Sequence, residues 1–127
     1  MRWLLALAFA TSVAHAQQLT HLIVPFGAGA VQDTIARSIN AELGAALGRS
    51  MIVENRAGAG GTIGTAFVAK APADGQTFIL AGASHTIGGS LYAKLPYHPL
   101  KDFTPIAHIG NVDYVLLTSA SVPATNV

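Results

Sequence analysis

Apolar residues along the chain alternate between short unbroken runs and stripes of helical period. Residues 22–24 form an unbroken run, Leu-Ile-Val, within residues 19–25, which predicts a buried strand. A stripe follows in which apolar residues recur at every fourth position: Ile35, Ile39, Leu43 and Leu47. This stripe predicts a helix that starts at Gln32 or Asp33, with Gly48 just beyond its end.

The same alternation continues in the middle of the chain. Residues 51–54 and 77–81 are predicted strands, and residues 72–75 form a predicted turn before the second of them. A second helix is predicted between these strands from the spacing of Ile63, Ala66, Phe67 and Lys70.

Beyond the third strand the pattern weakens. Two adjacent glycines limit residues 86–92 to a short helix at most, and residues 106–109 and 112–118 are predicted to form further strands. The order strand, helix, strand, helix, strand is typical of right-handed crossovers. We therefore predict an α/β fold with a mostly parallel sheet and helices on its faces.

Three glycine-rich loops follow the first three predicted strands, at residues 26–32, 55–61 and 82–86. The carboxyl ends of parallel strands meet at one edge of a sheet, where open α/β folds bind ligands. Glycine lets backbone N–H groups approach a ligand, and a helix N-terminus behind such a loop attracts an anion. The loops therefore predict an anion site built from backbone amides; glycines that only form tight turns are the alternative.

Residues 1–16 have the three parts of a secretory signal peptide. Arg2 precedes an apolar segment at residues 3–10, and the small residues Ala14 and Ala16 occupy the positions that define cleavage. A membrane anchor is the alternative, but this apolar run is well below the roughly 20 residues that a spanning helix needs. We therefore predict export to the periplasm, with cleavage after Ala16.

The composition of the chain disfavours several kinds of binding partner. Of the 127 residues, 51% are hydrophobic and 10% are charged, which is typical of a folded chain rather than a disordered one. The formal charge is +1, and loss of Arg2 with the leader would bring it to zero, so nucleic-acid binding through a basic surface is disfavoured. Cysteine is absent, and the histidines beyond the predicted leader lack metal-ligand spacing, so we predict neither a metal nor a cofactor. These histidines are His21, His85, His98 and His108.

Two motifs resemble those of enzymes without matching them. The loop from Gly27 has the spacing of a dinucleotide-binding fingerprint, except that Gln32 replaces the third glycine; Glu54 lies near the ribose-binding position. Ser84 follows a strand, as the nucleophile of an α/β hydrolase does. Its candidate partners are His108 and Asp102 or Asp113. A dinucleotide-binding domain and an exported α/β hydrolase that uses Ser84 are therefore open alternatives.

Asp33 has two interpretations. An acid in the first turn of a helix usually caps it or interacts with the positive end of its dipole. Beside an anion site, an acid is unfavourable unless the ligand carries an amino or hydroxyl group or water intervenes. We therefore predict a role for Asp33 in ligand selectivity as well as in capping.

Four segments resemble the Bug family, the extracytoplasmic solute-binding receptors of tripartite tricarboxylate transporters. They are Leu22-Ile23-Val24-Pro25-Phe26 with Gly29 and Asp33; Val53-Glu54-Asn55-Arg56 with the glycine cluster up to Gly64; Ala69-Lys70-Ala71-Pro72-Ala73-Asp74-Gly75; and Leu95-Pro96-Tyr97-His98-Pro99 with Lys101-Asp102-Phe103. Together they cover nearly the whole mature chain in the family's order. The Glu-Asn-Arg glycine cluster and the Pro-Tyr-x-Pro segment are the most specific of them.

The resemblance implies a two-lobed fold of the periplasmic binding protein type II class that closes on a small organic carboxylate and has no catalytic activity. It implies that the first loop and the loop after the third strand hold one carboxylate through N–H groups, hydroxyls and water. The implied ligand-binding residues are Pro25, Phe26, Gly27, Ala28, Gly29, Asp33, Ser84, His85 and Thr86. The implied partners are the carboxylate and the membrane components of the transporter, with a monomeric receptor. Arg56 is expected to brace its loop.

The sequence departs from the family pattern in its first loop and in its length. Gly27-Ala28-Gly29-Ala30 replaces the usual Pro-x-Gly-Gly. Family members are also much longer, and chain returning from their second lobe completes the first. We therefore expect residues 17–111 to form the first part of lobe 1, truncated, and residues 112–127 to begin the crossover to a second lobe.

Overall fold

The computed structural model describes residues 19–123. Within this range three parallel strands form a sheet in the order β2-β1-β3: β1 (Leu19–Val24), β2 (Ser50–Asn55) and β3 (Thr77–Ile79). The helices that alternate with them are α1 (Val31–Leu47), α2 (Thr62–Ala69) and α3 (Ala83–Leu91). The predicted α/β fold with a parallel sheet is confirmed, whereas the predicted signal peptide lies outside the described residues.

β1 is the central strand and is buried on both faces. It pairs with β2 along its whole length and with β3 from His21 to Ile23. Because side chains alternate between the two faces of a strand, Leu22 and Val24 enter the core on one face and Ile23 is buried on the other. Burial on both faces explains why the second half of this strand, residues 22–24, is an unbroken apolar run.

α1 packs on β1 and β2. Small residues, Ala36 and Gly44, are the buried ones on its inner face, whereas Ile35 and Leu43 of the predicted stripe pack against the core from half-buried positions. The core cluster consists of Leu22, Val24, Ala36, Met51 and Leu80. The helix ends where predicted, because Gly48 has φ +63° and donates its N–H to carbonyl groups of the last turn.

The two crossover connections, from β1 to β2 and from β2 to β3, run in opposite directions across the sheet. The chain leaves β1 towards β2 and then crosses to β3 on the other side, so right-handed connections place α1 and α2 on opposite faces. α2 packs on β1 and β3, and α3 lies beside α2. The chain therefore leaves the neighbouring strands β1 and β3 towards opposite faces, and the space between the loop after β1 and the N-terminus of α3 lies at this topological switch point. We call it the switch-point crevice.

Several element boundaries differ from the prediction; β1 ends one residue earlier, at Val24, and β2 extends one residue further at each end, over Ser50–Asn55. α1 begins at Val31, β3 ends at Ile79 and α3 begins at Ala83, ahead of the predicted residue 86. α3 begins early because Gly82, in an extended conformation, already provides its N-cap. No helix within residues 19–123 is both long enough and apolar enough to cross a membrane.

The two predicted strands at residues 106–109 and 112–118 are wrong. This part of the chain has no regular secondary structure, and Tyr114 and Leu116 are 81% and 82% exposed. A strand requires a neighbouring backbone for its hydrogen bonds, and no strand among residues 19–123 lies beside this segment. The apolar, β-branched composition predicted strands, but pairing decides whether they form.

The segment after α3 packs back onto that helix. Tyr97 is buried; its ring lies parallel to the His85 ring at a centroid distance of 6.2 Å and edge-on to Phe103 at 5.8 Å. A Cβ at Gly89 would lie 3.2 Å from Pro99 Cγ, so the small residue lets the segment approach α3 closely. These contacts hold α3 in place beside the sheet.

Candidate functional site

The loops predicted to form a ligand site meet at the carboxyl edge of the sheet. Asn55 Nδ2 donates to the Phe26 carbonyl oxygen at 3.1 Å, which joins the loop after β2 to the loop after β1. Gly64 of α2 lies so close to the first loop that a Cβ there would be 3.0 Å from Pro25 Cα. The prediction that these loops share one edge is confirmed.

The loop after β1 presents two unpaired backbone amides. Gly29 has φ +84°, a conformation that favours glycine, and donates its N–H to Asp33 Oδ2 at 2.9 Å. The N–H of Ala30 donates to the Gly27 carbonyl oxygen at 3.2 Å. No acceptor among residues 19–123 takes the N–H of Gly27 or Ala28, and both residues are exposed. These two amides can therefore bind a ligand.

Asp33 lies buried beneath this loop, with 4% of its surface exposed. Arg37 Nε donates to both of its carboxylate oxygens at 3.0 and 3.1 Å, and Asn55 Nδ2 donates to Oδ1 at 2.9 Å. The hydrogen bond from Arg37, followed by those from Gly29 and Asn55, lowers the pKa of Asp33 from 3.8 to about 2. The carboxylate therefore stays ionised and anchors the loop through Gly29.

The capping role predicted for Asp33 takes an altered form. The N-cap of α1 is Ala30, which has no side chain able to cap, and Asp33 instead bonds the N–H of Gly29, just before the cap. A role of Asp33 in ligand selectivity stays a prediction, since its oxygens are already paired within the protein.

Asn55 and Arg37 are site residues that the sequence prediction missed. Asn55 Oδ1 accepts from Arg37 Nη2 at 2.9 Å, so the Asn55 amide uses both its donor and its acceptor to join β2 to α1. The four-residue spacing of Asp33 and Arg37 on a helix is a signal from which their ion pair could have been predicted. Asn55 gives no comparable signal, because its contacts depend on the pairing of β2 with β1.

The Asp33 network makes stability depend on pH in the acid range. Because its pKa is lower in the folded chain, Asp33 contributes stability that is complete above about pH 4 and is lost as the pH falls to about 2. We expect Asp33→Asn to be less stable than the wild type at pH 7, with the difference shrinking between pH 4 and pH 2. Urea unfolding at several pH values measures this; parallel pH profiles for the two proteins would contradict it.

The N-terminus of α3 forms the other side of the switch-point crevice. Gly82 is its N-cap, and no side chain in the described part of the chain caps the helix. The N–H of His85 donates to the Gly82 carbonyl oxygen at 3.0 Å, and Thr86 Oγ1 donates to the Ala83 carbonyl oxygen at 3.0 Å. The N–H groups of Ala83 and Ser84 have no acceptor among the described residues. They are the free donors that begin a helix.

The His85 ring is engaged by the segment that follows α3. Nε2 donates to the Pro99 carbonyl oxygen at 2.9 Å, and the ring lies edge-on to Phe103 at a centroid distance of 4.9 Å. Nδ1 is buried with no partner in residues 19–123. The ring thus fixes the position of α3, and the ligand contact expected of His85 stays a prediction.

The arrangement does not favour a hydrolase. Ser84 is exposed, and no histidine in the described part of the chain forms a hydrogen bond with its hydroxyl group. His108 lies in the exposed segment, and Asp102 accepts the N–H of His98 at 2.7 Å. Among residues 19–123, no three histidine, aspartate or glutamate side chains come together as a metal site either.

Arg56 braces the loop after β2, as expected. Its Nη2 pairs with Glu54 Oε1 at 2.6 Å, its guanidinium lies 3.6 Å from the centre of the Phe67 ring, and its backbone N–H donates to the Val24 carbonyl oxygen. Arg56 is therefore committed to β1, β2 and α2 and does not supply a free cation at the edge of the sheet.

Known proteins are similar to this chain in sequence and in fold. Residues 35–127 match the model of the TctC family, described as the tripartite tricarboxylate transporter family receptor. BugT of Bordetella pertussis is 43% identical over 100 residues, which cover 77% of this chain and 31% of BugT. The periplasmic binding protein BugD is 42% identical, with a TM-score of 0.66 over 69% of this chain and 29% of its own. MatC from Rhodopseudomonas palustris, solved with bound malate, is 44% identical, with a TM-score of 0.63 over 68% of this chain and 30% of MatC.

The chain spans about a third of the length of these relatives. The family match nevertheless covers most of the chain, and the fold of the solved relatives matches that of this chain over about two thirds of its length. The dinucleotide-binding and hydrolase alternatives are not favoured by any of these matches. The chain therefore belongs to the TctC family of tripartite tricarboxylate transporter receptors, and its resemblance to the Bug proteins is confirmed.

Proposed function

We propose that this chain is a carboxylate-binding part of a periplasmic solute receptor that serves the membrane components of a tripartite tricarboxylate transporter. Membership of the TctC family supports the receptor role. BugD is described as a periplasmic binding protein, and MatC was solved with malate. Small organic carboxylates are therefore the proposed ligands, and the periplasm, after cleavage at Ala16, is the proposed location.

The observation that carries this proposal is the arrangement of unpaired amides around the switch-point crevice. Gly27 and Ala28 offer N–H groups from one side, and Ala83 and Ser84 offer them from the other. Neither α1 nor α3 has a side-chain cap, and a helix N-terminus carries roughly half a positive charge. A carboxylate has two oxygens that accept such bonds, so it suits a crevice lined by donors on both sides.

Anion binding here would depend on backbone amides rather than on basic side chains. Arg37 is paired with Asp33, and Arg56 is paired with Glu54. A site without a free cation has no strong attraction for anions in general. In this proposal, shape and hydrogen-bond direction therefore select a carboxylate.

We expect the chain alone to bind carboxylates weakly. Residues 19–123 form one α/β unit, whereas receptors of this class close two lobes around the ligand and gain contacts from both. With contacts from this one unit only, a dissociation constant in the millimolar range, equivalent to about 4 kcal/mol, is expected for malate. Calorimetry that gives micromolar binding to this chain would contradict that expectation.

A proline at the first position of α3 tests the site with the loss of a single donor. Proline is tolerated at the first helical position, and Gly82 has φ −114° and ψ −171°, an extended conformation that suits the residue before proline. We expect Ala83→Pro to remove one N–H from the carboxylate and to weaken malate binding about 10-fold or more.

The matched variant Ala83→Gly keeps the N–H and is expected to weaken binding far less. NMR titration of the full chain with malate at constant ionic strength measures both variants. Equal affinities for Ala83→Pro and the wild type, with both chains folded by circular dichroism, would overturn the proposed site.

A further inference from the structure

We propose that Gln32 recognises a hydroxyl group beside the bound carboxylate, so that the site prefers 2-hydroxydicarboxylates to unsubstituted dicarboxylates. This inference rests on the proposed carboxylate site and adds a specificity-determining side chain to it. It follows from where the Gln32 amide lies, from its lack of a partner among residues 19–123, and from its carbonyl oxygen, an acceptor that the unpaired backbone N–H groups do not supply.

The Gln32 side chain spans the switch-point crevice. Gln32 is the second residue of α1, yet its amide lies against Gly82, the N-cap of α3. A Cβ at Gly82 would be 2.6 Å from Gln32 Nε2 and 3.7 Å from its Cδ. The amide therefore lies between the free N–H groups of the first loop and those of α3.

Gly82 is explained by this contact rather than by its backbone conformation. Its φ of −114° is one that any residue adopts, so no turn at this position requires glycine. What the missing side chain provides is space for the Gln32 amide. The pair Gln32 and Gly82 thus forms a unit that crosses from one side of the crevice to the other.

The Gln32 amide has no hydrogen-bond partner among residues 19–123, and the residue is half-buried. The polar side chains beneath the first loop are already paired: Asp33 with Arg37, and Asn55 with both Asp33 and the Phe26 carbonyl oxygen. A carboxamide offers two N–H donors and one carbonyl acceptor. Gln32 therefore brings an uncommitted acceptor as well as donors to the crevice.

A ligand hydroxyl group needs such an acceptor. A carboxylate only accepts hydrogen bonds, and the unpaired amides of Gly27, Ala28, Ala83 and Ser84 only donate them. A hydroxyl group next to the carboxylate donates one hydrogen bond and therefore needs an acceptor, and its oxygen can accept a hydrogen bond at the same time. The Gln32 carbonyl oxygen can take that proton, so malate can form a bond that succinate cannot.

The test compares the affinities of the full chain for L-malate and succinate by NMR titration at constant ionic strength. One neutral hydrogen bond corresponds to a preference for malate of about 5- to 10-fold in the wild type. We expect Gln32→Leu, which keeps the side-chain length but removes both polar groups, to reduce this ratio to about 1. Gln76→Leu, the same change just before the amino end of β3 and so at the opposite edge of the sheet, should retain the wild-type ratio.

Gly82→Ala provides a second variant in which Gln32 is unchanged. An added methyl group at Gly82 would displace the Gln32 amide, which is the mobile end of a flexible side chain, so the fold should tolerate it. We expect Gly82→Ala to lose the preference for malate as Gln32→Leu does. The double variant should lose no more than either single variant, because both changes remove the same contact.

Three results would overturn the inference. Retention of the malate preference in Gln32→Leu would show that Gln32 does not read the hydroxyl group. If Ser84→Ala loses the preference for malate while Gln32→Leu retains it, the exposed Ser84 hydroxyl group, and not Gln32, recognises the ligand hydroxyl group. In both cases carboxylate binding itself, and so the proposed function, would stand. Failure of the wild type to bind either dicarboxylate would overturn the proposed function together with this inference.

Discussion

Replacement of Gly64 by alanine is expected to lower the free energy of unfolding by about 3 kcal/mol, the upper part of the range for an overpacked core. A Cβ at Gly64 would lie 2.6 Å from the Arg56 carbonyl oxygen and 3.0 Å from Pro25 Cα. Both neighbours are backbone atoms of buried or half-buried residues, so no flexible side chain can move aside to make room for the Cβ. α2 would have to shift away from the loops after β1 and β2.

Gly110→Ala is the matched control for this prediction. A Cβ at Gly110 has nothing within 4 Å, and its φ is not positive, so we expect a change within about 0.5 kcal/mol. Urea unfolding followed by circular dichroism compares the two variants. If Gly64→Ala is as stable as Gly110→Ala, α2 does not pack on the carboxyl edge as described.

Asn55→Asp is expected to destabilise the chain at pH 7 by about 3 kcal/mol, because it replaces a half-buried donor by a charged acceptor. The new carboxylate oxygen would lie in the place of Nδ2, which is 2.9 Å from Asp33 Oδ1 and 3.1 Å from the Phe26 carbonyl oxygen. Two favourable hydrogen bonds would thus become two repulsive contacts, although Arg37 could still pair with the other oxygen.

The stability of Asn55→Asp should partly recover as the pH falls towards 4. Repulsion from Asp33 raises the pKa of one of the two carboxyl groups in the folded chain, and a protonated carboxyl group donates where Nδ2 did. The folded state then binds more protons than the unfolded one, so stability rises with falling pH. Asn111→Asp, the same change at an exposed residue, should be nearly neutral at pH 7. A flat pH profile for Asn55→Asp would contradict the network.

The sheet and the edge that carries the site could be predicted because their signals are local. An unbroken apolar run indicated that β1 is buried on both faces, and the glycine at position 48 marked the end of α1. Once the strands are parallel, their carboxyl ends must share an edge, so the three loops follow from chain order alone. None of this required knowledge of side-chain contacts.

The contacts that shape the site could not be predicted because they join residues distant in sequence. Asn55 reaches Asp33 and Phe26 only because β2 pairs with β1 in one particular register. Gln32 reaches Gly82 only because α1 and α3 leave the sheet on opposite sides of the crevice. Hydrophobic period describes which face of an element is buried, but not which residue lies across from it.

The wrong strands at residues 106–109 and 112–118 have a related cause. Their β-branched and apolar composition is a valid local signal for a strand. Formation of a strand also depends on a partner backbone, and within residues 19–123 this segment has none. Local propensity therefore predicted strands that do not form within residues 19–123, because no neighbouring strand pairs with them.

The central claim is that a carboxylate binds between the loop after β1 and the N-terminus of α3. The most direct measurement is a ¹H–¹⁵N NMR titration of the full chain with malate, with sodium chloride at equal ionic strength as the reference. We predict saturable shifts of the backbone amides of Gly27, Ala28, Ala83 and Ser84, with little change at Lys70 on the far end of α2. No saturable shift at these four amides, or saturable shifts that occur only elsewhere in the chain, would contradict the account.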